Sequence, residues 1–330
     1  MPEPLYRVTF NADALLREHP PRLRDSHKAA LFAIAYAPGE TPAGVVEVTR
    51  WPKRIEQPLS LGSLEREVRP DFYDYSPLAA SGTVLEWHVN FADPILFVAY
   101  GSGLFAQDEM QVAEHPLLGS VREALRKRGV SAKTEDETGG TPILVSNVER
   151  RIAVATNPDA AAGRPAGLYG NQFASASLDA IRRATRKIEP ATQSNIIAMA
   201  APACGRGDYT ESQIESVFTT ALTAFAAARQ ESIRLRGATC QAVVHSGFWG
   251  CGAFGGNRKL MIALQALAAR AANITRLVIH AGDTSGLEAA RIGLDVADSV
   301  ASRCGSPCSL DTLVGRCAIL GYQWGVSDGN

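Results

Sequence analysis

The chain has 330 residues, 46% hydrophobic and 20% charged, with 33 Lys and Arg against 34 Asp and Glu and a formal net charge of -1. That balance excludes a basic surface built to hold a nucleic-acid backbone, and the length allows one large domain or two ordinary ones around a well-buried core. The opening run "MPEPLYRVTFNADALLREHPP" lacks the basic-then-apolar layout of a secretory signal, and the longest apolar runs fall well short of the ~20 residues of a membrane span.

In chain order, the first eighty residues read as a helix in "DSHKAALFAIAYA", a strand in "AGVVEVTRW" and a Pro- and charge-rich stretch. From residue 84 the order becomes regular: "VLEWHVNFA" as strand, "AYGSGLFA" as a glycine-containing loop, "QDEMQVAEH" as a short helix and "LLGSVREALRKRG" as another. Next come "TPILVSNV" (strand), "SASLDAIRRATRKI" (helix), "NIIAMAAP" (strand) and a long helix from Thr210, whose spacing to Gln213 is that of a capping box. "CQAVVHSGF" (strand), "RKLMIALQALAARAAN" (helix), "RLVIHAG" (strand) and "LEAARIGLDVADSVASRC" (helix) complete the pattern. Short apolar strands alternating with amphipathic helices predict an α/β fold, a sheet covered on both faces, with ligands gathered at strand carboxyl ends.

The six cysteines, Cys204, Cys240, Cys251, Cys304, Cys308 and Cys317, are scattered, which suits a reduced cytoplasmic setting. Cys304 and Cys308 lack a second ligand pair, and His88 and His280 read as core histidines, so no metal or cofactor is expected. "RGD" at 206–208 and "GDTSG" at 282–286 read as loops. Tyr169 is an aromatic that could stack on a base or serve ordinary packing.

The run "SGFWGCGAFGGNRKL" at 246–260 lies between a strand and a helix, where backbone amides converge on an anion. Its glycines permit close approach to a phosphate, although a tight packing turn would use them too, and the Walker and Rossmann spacings are absent. Cys251 as a nucleophile would need His245 or His280 as base; a small buried residue is the commoner role.

That run resembles the diphosphate-binding loop of the poly(ADP-ribose) glycohydrolases (PARG), a branch of the macrodomain fold, matching "WGCGAFGG" from Trp249 to Gly256. A second signature of the family is similar to "VNFAD" (Val89–Asp93), the triplet Gly101, Ser102 and Gly103, and Gln107, Asp108 and Glu109 at a helix start. The resemblance spans about residues 84–282. It implies a three-layer α/β/α mixed sheet over 81–330, with residues 1–80 as an N-terminal accessory region. It also implies ligand contacts from Asn90, Phe91, Gly101, Ser102, Gly103 and Gln107, and from Trp249, Gly250, Cys251, Gly252, Ala253 and Phe254, with Tyr169 beside them.

Cleaving a ribosyl bond requires an acid for the leaving group and a base for water. Adjacent Asp108 and Glu109 diverge by about 100° on a helix, so one of them serves the bond directly. The resemblance assigns that role to Glu109, with Asp108 orienting a ribose hydroxyl. In this chain Asn90 and Asp93 exchange the family's Asp and Asn, and only three residues separate Gly103 from Gln107. The short loop and the extra carboxylate Asp93 point to a divergent member resembling the branch that removes single ADP-ribose groups from arginine, since a carboxylate suits a guanidinium. The expected partner is ADP-ribose or an ADP-ribosylated protein, without direct nucleic-acid or membrane contact; the alternative is a reader that binds ADP-ribose without cleaving it.

Overall fold

The computed structural model describes residues 3–54, 57–78, 82–305 and 307–329. The expected boundary at residues 80–81 therefore lies outside the described residues. Alternating burial forms Tyr6–Asn11 (β1), and the Asn11 side chain then caps Ala12–Glu18 (α1) by accepting the Ala14 amide. Asp25 caps Ser26–Ala35 (α2), followed by Val45–Arg50 (β2), Glu65–Arg69 (β3) and Val84–Ala92 (β4). Gln107–Glu114 (α3) and Leu117–Lys127 (α4) precede a small hairpin of Glu135–Asp136 (β5) and Gly139–Gly140 (β6), then Ile143–Val154 (β7). Gln172–Ser175 (α5), Leu178–Ala184 (α6), Thr185–Ala200 (β8) and Glu211–Arg236 (α7) follow. The chain continues through Gln241–Ser246 (β9), Arg258–Ala271 (α8), Arg276–His280 (β10), Thr284–Cys304 (α9) and Leu310–Ala318 (α10).

The expected helix through Ile188 stops at Ala184. From Thr185 the chain pairs with β7, Val154 opposite Thr185 and Ile152 opposite Lys187, so strand pairing overrides the helical pattern. The run "KTEDETGG" at 133–140 holds the β5/β6 hairpin, Glu135 opposite Gly140 and Asp136 opposite Gly139.

Eight strands form one mixed sheet in the order β1-β2-β7-β8-β4-β9-β10-β3. The half from β8 to β3 is parallel, and β1, β2 and β7 add antiparallel pairs. The N-terminal segment thus lies within the sheet: β1 and β2 form one margin and β3 the other. On one face, Leu85, Trp87 and Val89 of β4 and Val244 of β9 pack against the alanine-rich middle of α7 and against α8. The small side chains of Ala224 and Ala226–Ala228 let that helix approach the sheet closely. The opposite face is covered by α1 and α4 at the antiparallel end and by α2, α3 and α6 further along. The three-layer α/β/α architecture matches the expectation. Among the described residues, no helix is long and apolar enough to cross a membrane.

Candidate active site

Parallel strands deliver their following loops to one edge of the sheet, and there the ends of β4, β9 and β10 open into a cleft of about 730 Å³. That volume suits a nucleotide-sized molecule. Asp93, Asp108 and Glu109 form part of one wall, and the loop from Gly247 to Arg258 forms another.

The acidic wall rests on α3, whose composition reads as a surface helix yet whose residues 107–112 and 114 are buried. A polar helix is tolerated inside only where its groups find partners. Gln107 donates from Nε2 to Tyr75 Oη (2.9 Å) and to the Val89 carbonyl (3.0 Å), while its Oε1 accepts the Phe91 amide (2.8 Å). Its side-chain amide is therefore held by the framework, while the residue itself lines the cleft. At the other end of α3, Glu114 accepts from Arg150 Nε (2.9 Å) and from the Val154 amide (2.8 Å).

Asn90 is fully buried behind this wall and donates to Asp108 Oδ1 (3.0 Å). Asp108 Oδ2 and Asn90 Oδ1 are buried without a hydrogen-bond partner among the described residues. Glu109 Oε2 accepts the Ala106 amide (3.1 Å). Burial pushes the Asp108 carboxyl well up, with the Glu109 charge adding to it. Burial likewise raises Glu109, opposed chiefly by the Lys28 ammonium, and it raises Asp93. All three groups thus hold a proton more readily than ordinary carboxylates, as a general acid requires.

Lys28 was missed from sequence. It lies on α2, 2% exposed, donates to the Tyr100 carbonyl (3.0 Å) and sits 5.2 Å and 5.6 Å from the ring centres of Phe105 and Phe173. Burial pulls its ammonium down to about 8 against the attraction of Glu109 and Asp108. Nothing in "DSHKAALF" separates it from a solvated helical lysine.

The glycine triplet departs from its expected role. Gly101, Ser102 and Gly103 do not line the cleft. A Cβ on Gly101 would collide with the Arg22 backbone, and the Gly101 carbonyl accepts the amides of Arg24 (2.9 Å) and Asp25 (3.1 Å). Ser102 Oγ accepts the Leu104 amide (3.2 Å), and a Cβ on Gly103 would lie 3.0 Å from Ala174 Cβ. The triplet fastens the N-terminal segment to this loop.

In the glycine loop, Trp249 is fully buried and donates to the Met199 carbonyl (2.9 Å), anchoring the turn. Gly250 has φ +74°, and a Cβ there would lie 2.5 Å from Ala201 Cβ. The amides of Cys251, Gly255 and Gly256 are bonded within the turn; those of Gly250, Gly252, Ala253 and Phe254 donate to no backbone carbonyl among the described residues. Asn257 Oδ1 already accepts the first amides of α8, from Lys259 (3.1 Å) and Leu260 (3.2 Å). The anion-directed donors therefore belong to the loop rather than to the helix terminus. Arg258 adds positive charge, its guanidinium carbon 4.9 Å from the Phe248 ring centre, and a Cβ on Gly286 would lie 3.0 Å from that ring. Phe248 thus packs between Arg258 and the start of α9.

Burial pushes the Cys251 thiol well up, and the ring nitrogens of His245 and His280 are bound to Glu86, to each other and to Asp71. Among the described residues no base is bonded to the thiol, so the nucleophile reading has no support. Tyr169 lines the cleft edge-on to Phe72, with ring centres 5.4 Å apart. Phe72 and the C-terminal residues Val326 and Asp328 also line it, and no motif announced them.

Residues 166–286 match the family model described as poly(ADP-ribose) glycohydrolase (PARG), Macro domain fold. The match holds the glycine loop and stops short of α3 in the other direction. Similar solved structures include PARG from Thermomonospora curvata, 16% identical with a TM-score of 0.45, covering 86% of this chain and 89% of that one. PARG from Deinococcus radiodurans in complex with ADP-ribose is 13% identical with a TM-score of 0.41, covering 88% of this chain and 94% of that one. No curated protein matches the chain.

Proposed function

For a chain that residues 166–286 mark as a PARG-like macrodomain, we propose that it binds ADP-ribose and hydrolyses the glycosidic bond of an ADP-ribosyl group. One observation carries this reading: loop amides unpaired with backbone carbonyls and a wall of proton-holding carboxyls border the same cleft. The amides of Gly250, Gly252, Ala253 and Phe254, with Arg258 beside them, suit a diphosphate. The unpartnered Asp108 Oδ2 suits a ribose hydroxyl as donor, with Asn90 steering the carboxylate from behind. Glu109, raised by burial, protonates the leaving atom as the bond to the anomeric carbon breaks, and the resulting carboxylate then takes a proton from water.

The finer reading is a single ADP-ribose linked to arginine. Asp93 is half-buried and raised by burial alone, and a guanidinium leaving group would supply the cation that its carboxylate lacks. A reader without turnover is favoured by one feature, the Ala106 amide that tethers Glu109 Oε2 to its own helix.

A release assay on arginine-linked, serine-linked and polymeric ADP-ribose, run beside calorimetry with ADP-ribose, tests these readings. Release should be fastest from arginine, and Glu109→Gln should abolish it while affinity stays within about threefold, as for a group used in the transition state. Preference for polymer overturns the arginine reading. Binding without release from any conjugate leaves the reader, and full activity of Glu109→Gln removes the mechanism.

A further inference from the structure

Beneath the cleft, outside the proposed chemistry, a chain of buried polar groups crosses the sheet. Residue pairing sets His88 of β4 opposite His245 of β9, and Glu86 lies two residues earlier on the same face of β4. One ligand atom from each of Glu86, His88 and His245 lies within 4.8 Å of the other two. His245 Nε2 is 3.0 Å from Glu86 Oε2, and its Nδ1 is 3.1 Å from His280 Nε2. His280 Nδ1 in turn meets Asp71 Oδ1.

His280 Nδ1 also faces the Asp74 amide, which donates to it at 3.4 Å. In the tautomer where Nδ1 instead donates to Asp71, His280 Nε2 accepts from His245 Nδ1, and His245 Nε2 turns a lone pair toward the Glu86 carboxylate, an arrangement that a cation between them completes. His88 supplies a further lone pair there: its ring stacks on His245 at 4.6 Å and 20°, and its Nδ1 is buried with no hydrogen-bond partner among the described residues.

We propose that Glu86, His88 and His245 bind a divalent ion of the zinc class, with His280 and Asp71 fixing the tautomer and orientation of His245. Two imidazoles and a carboxylate are a ligand set this class accepts, and a carboxylate-to-histidine relay behind a ligating ring is the usual support. β4 leads directly to Asp93 and β9 to the glycine loop, so the ion clips together the strands that present both walls of the cleft. It enters no step of the hydrolysis, and the site stands whether or not the chain cleaves ADP-ribose.

The test uses the full chain, stripped with a chelator and titrated with Zn²⁺ or Co²⁺. One equivalent should bind, the Co²⁺ form should show visible ligand-field bands without a near-ultraviolet thiolate band, and Zn²⁺ should raise the melting temperature. His88→Asn should lose the equivalent, whereas Asp71→Asn, altered at a partly exposed supporting residue, should bind roughly 10–100-fold more weakly. Less than a tenth of an equivalent at micromolar Zn²⁺, a thiolate band reporting cysteine ligands, or full binding by His88→Asn would overturn the site. An extra proton would then be what satisfies the chain. If His88→Asn does not fold, the wild-type Co²⁺ spectrum and the Asp71→Asn affinity decide.

Discussion

Replacing Lys28 with Met should stabilise the fold and shift the pH profile of the chemistry together. The ammonium is nearly fully buried, its value drawn from 10.5 down to about 8 by desolvation. A folded value below the unfolded one means the unfolded chain binds more protons between about pH 8 and 10.5, so the penalty is fully present at pH 7 and fades as pH rises through that window. A shift of about 2.5 units corresponds to about 3 kcal/mol, an upper bound for what an apolar side chain of similar length recovers. With an unfolding entropy of about 0.7 kcal/mol per kelvin for a chain of this size, Lys28→Met should raise Tm by about 2–4 °C at pH 7. Lys28 is also the largest influence holding Glu109 down. Without it the Glu109 carboxyl rises further, and the alkaline limb of the kcat/KM profile for ADP-ribosyl release should move to higher pH. Scanning calorimetry between pH 7 and 10.5 and a pH–rate profile measure both effects. A fall in Tm with an unmoved alkaline limb would show that the cation is a structural asset with no hold on Glu109.

Two further perturbations probe the walls separately. Gly250→Ala must adopt φ +74° and meet Ala201 at 2.5 Å, costing about 2–4 kcal/mol, so Tm should fall by about 3–6 °C and ADP-ribose affinity at least tenfold by calorimetry. Affinity equal to wild type would discount the cradle. Arg150→Met strands the buried Glu114 carboxylate and should cost about 3–5 kcal/mol, seen as a Tm fall of about 4–7 °C; a change under 1 °C would mean that α3 is held by other contacts.

Strand positions were legible because β4, β9 and β10 carry short apolar runs bounded by turn residues, and the capping-box spacing from Thr210 to Gln213 marks where α7 begins. The glycine loop was legible only through the likeness of Trp249 to Gly256 to the family's run, since the glycines themselves loosen the backbone and would equally suit a packing turn. The boundary at Thr185 was not: local helical spacing and pairing with β7 compete, and only the assembled sheet decides between them. The interior position of α3 was equally hidden. "QDEMQVAE" has the composition of a solvated helix, and the partners that make its burial tolerable, Tyr75, Asn90, Arg150 and the Val154 amide, are scattered along the sequence.

The same distance in sequence explains why the acidic wall differs from its expected design. A loop with only Leu104 to Ala106 between the triplet and α3 has little chain with which to fold around a ligand. Gly101 instead receives the amides of Arg24 and Asp25, and Asp25 caps α2 through the amides of His27 and Lys28. That arrangement brings the Lys28 ammonium under the carboxylates it influences. The N-terminal segment therefore performs three separate tasks: β1 and β2 extend the sheet at one margin, β3 extends it at the other, and α2 brings a cation to the acidic wall. A deletion of residues 1–40 would remove that cation and uncover Phe105 and Phe173, and the apolar surface thus exposed would be a larger loss than the charge.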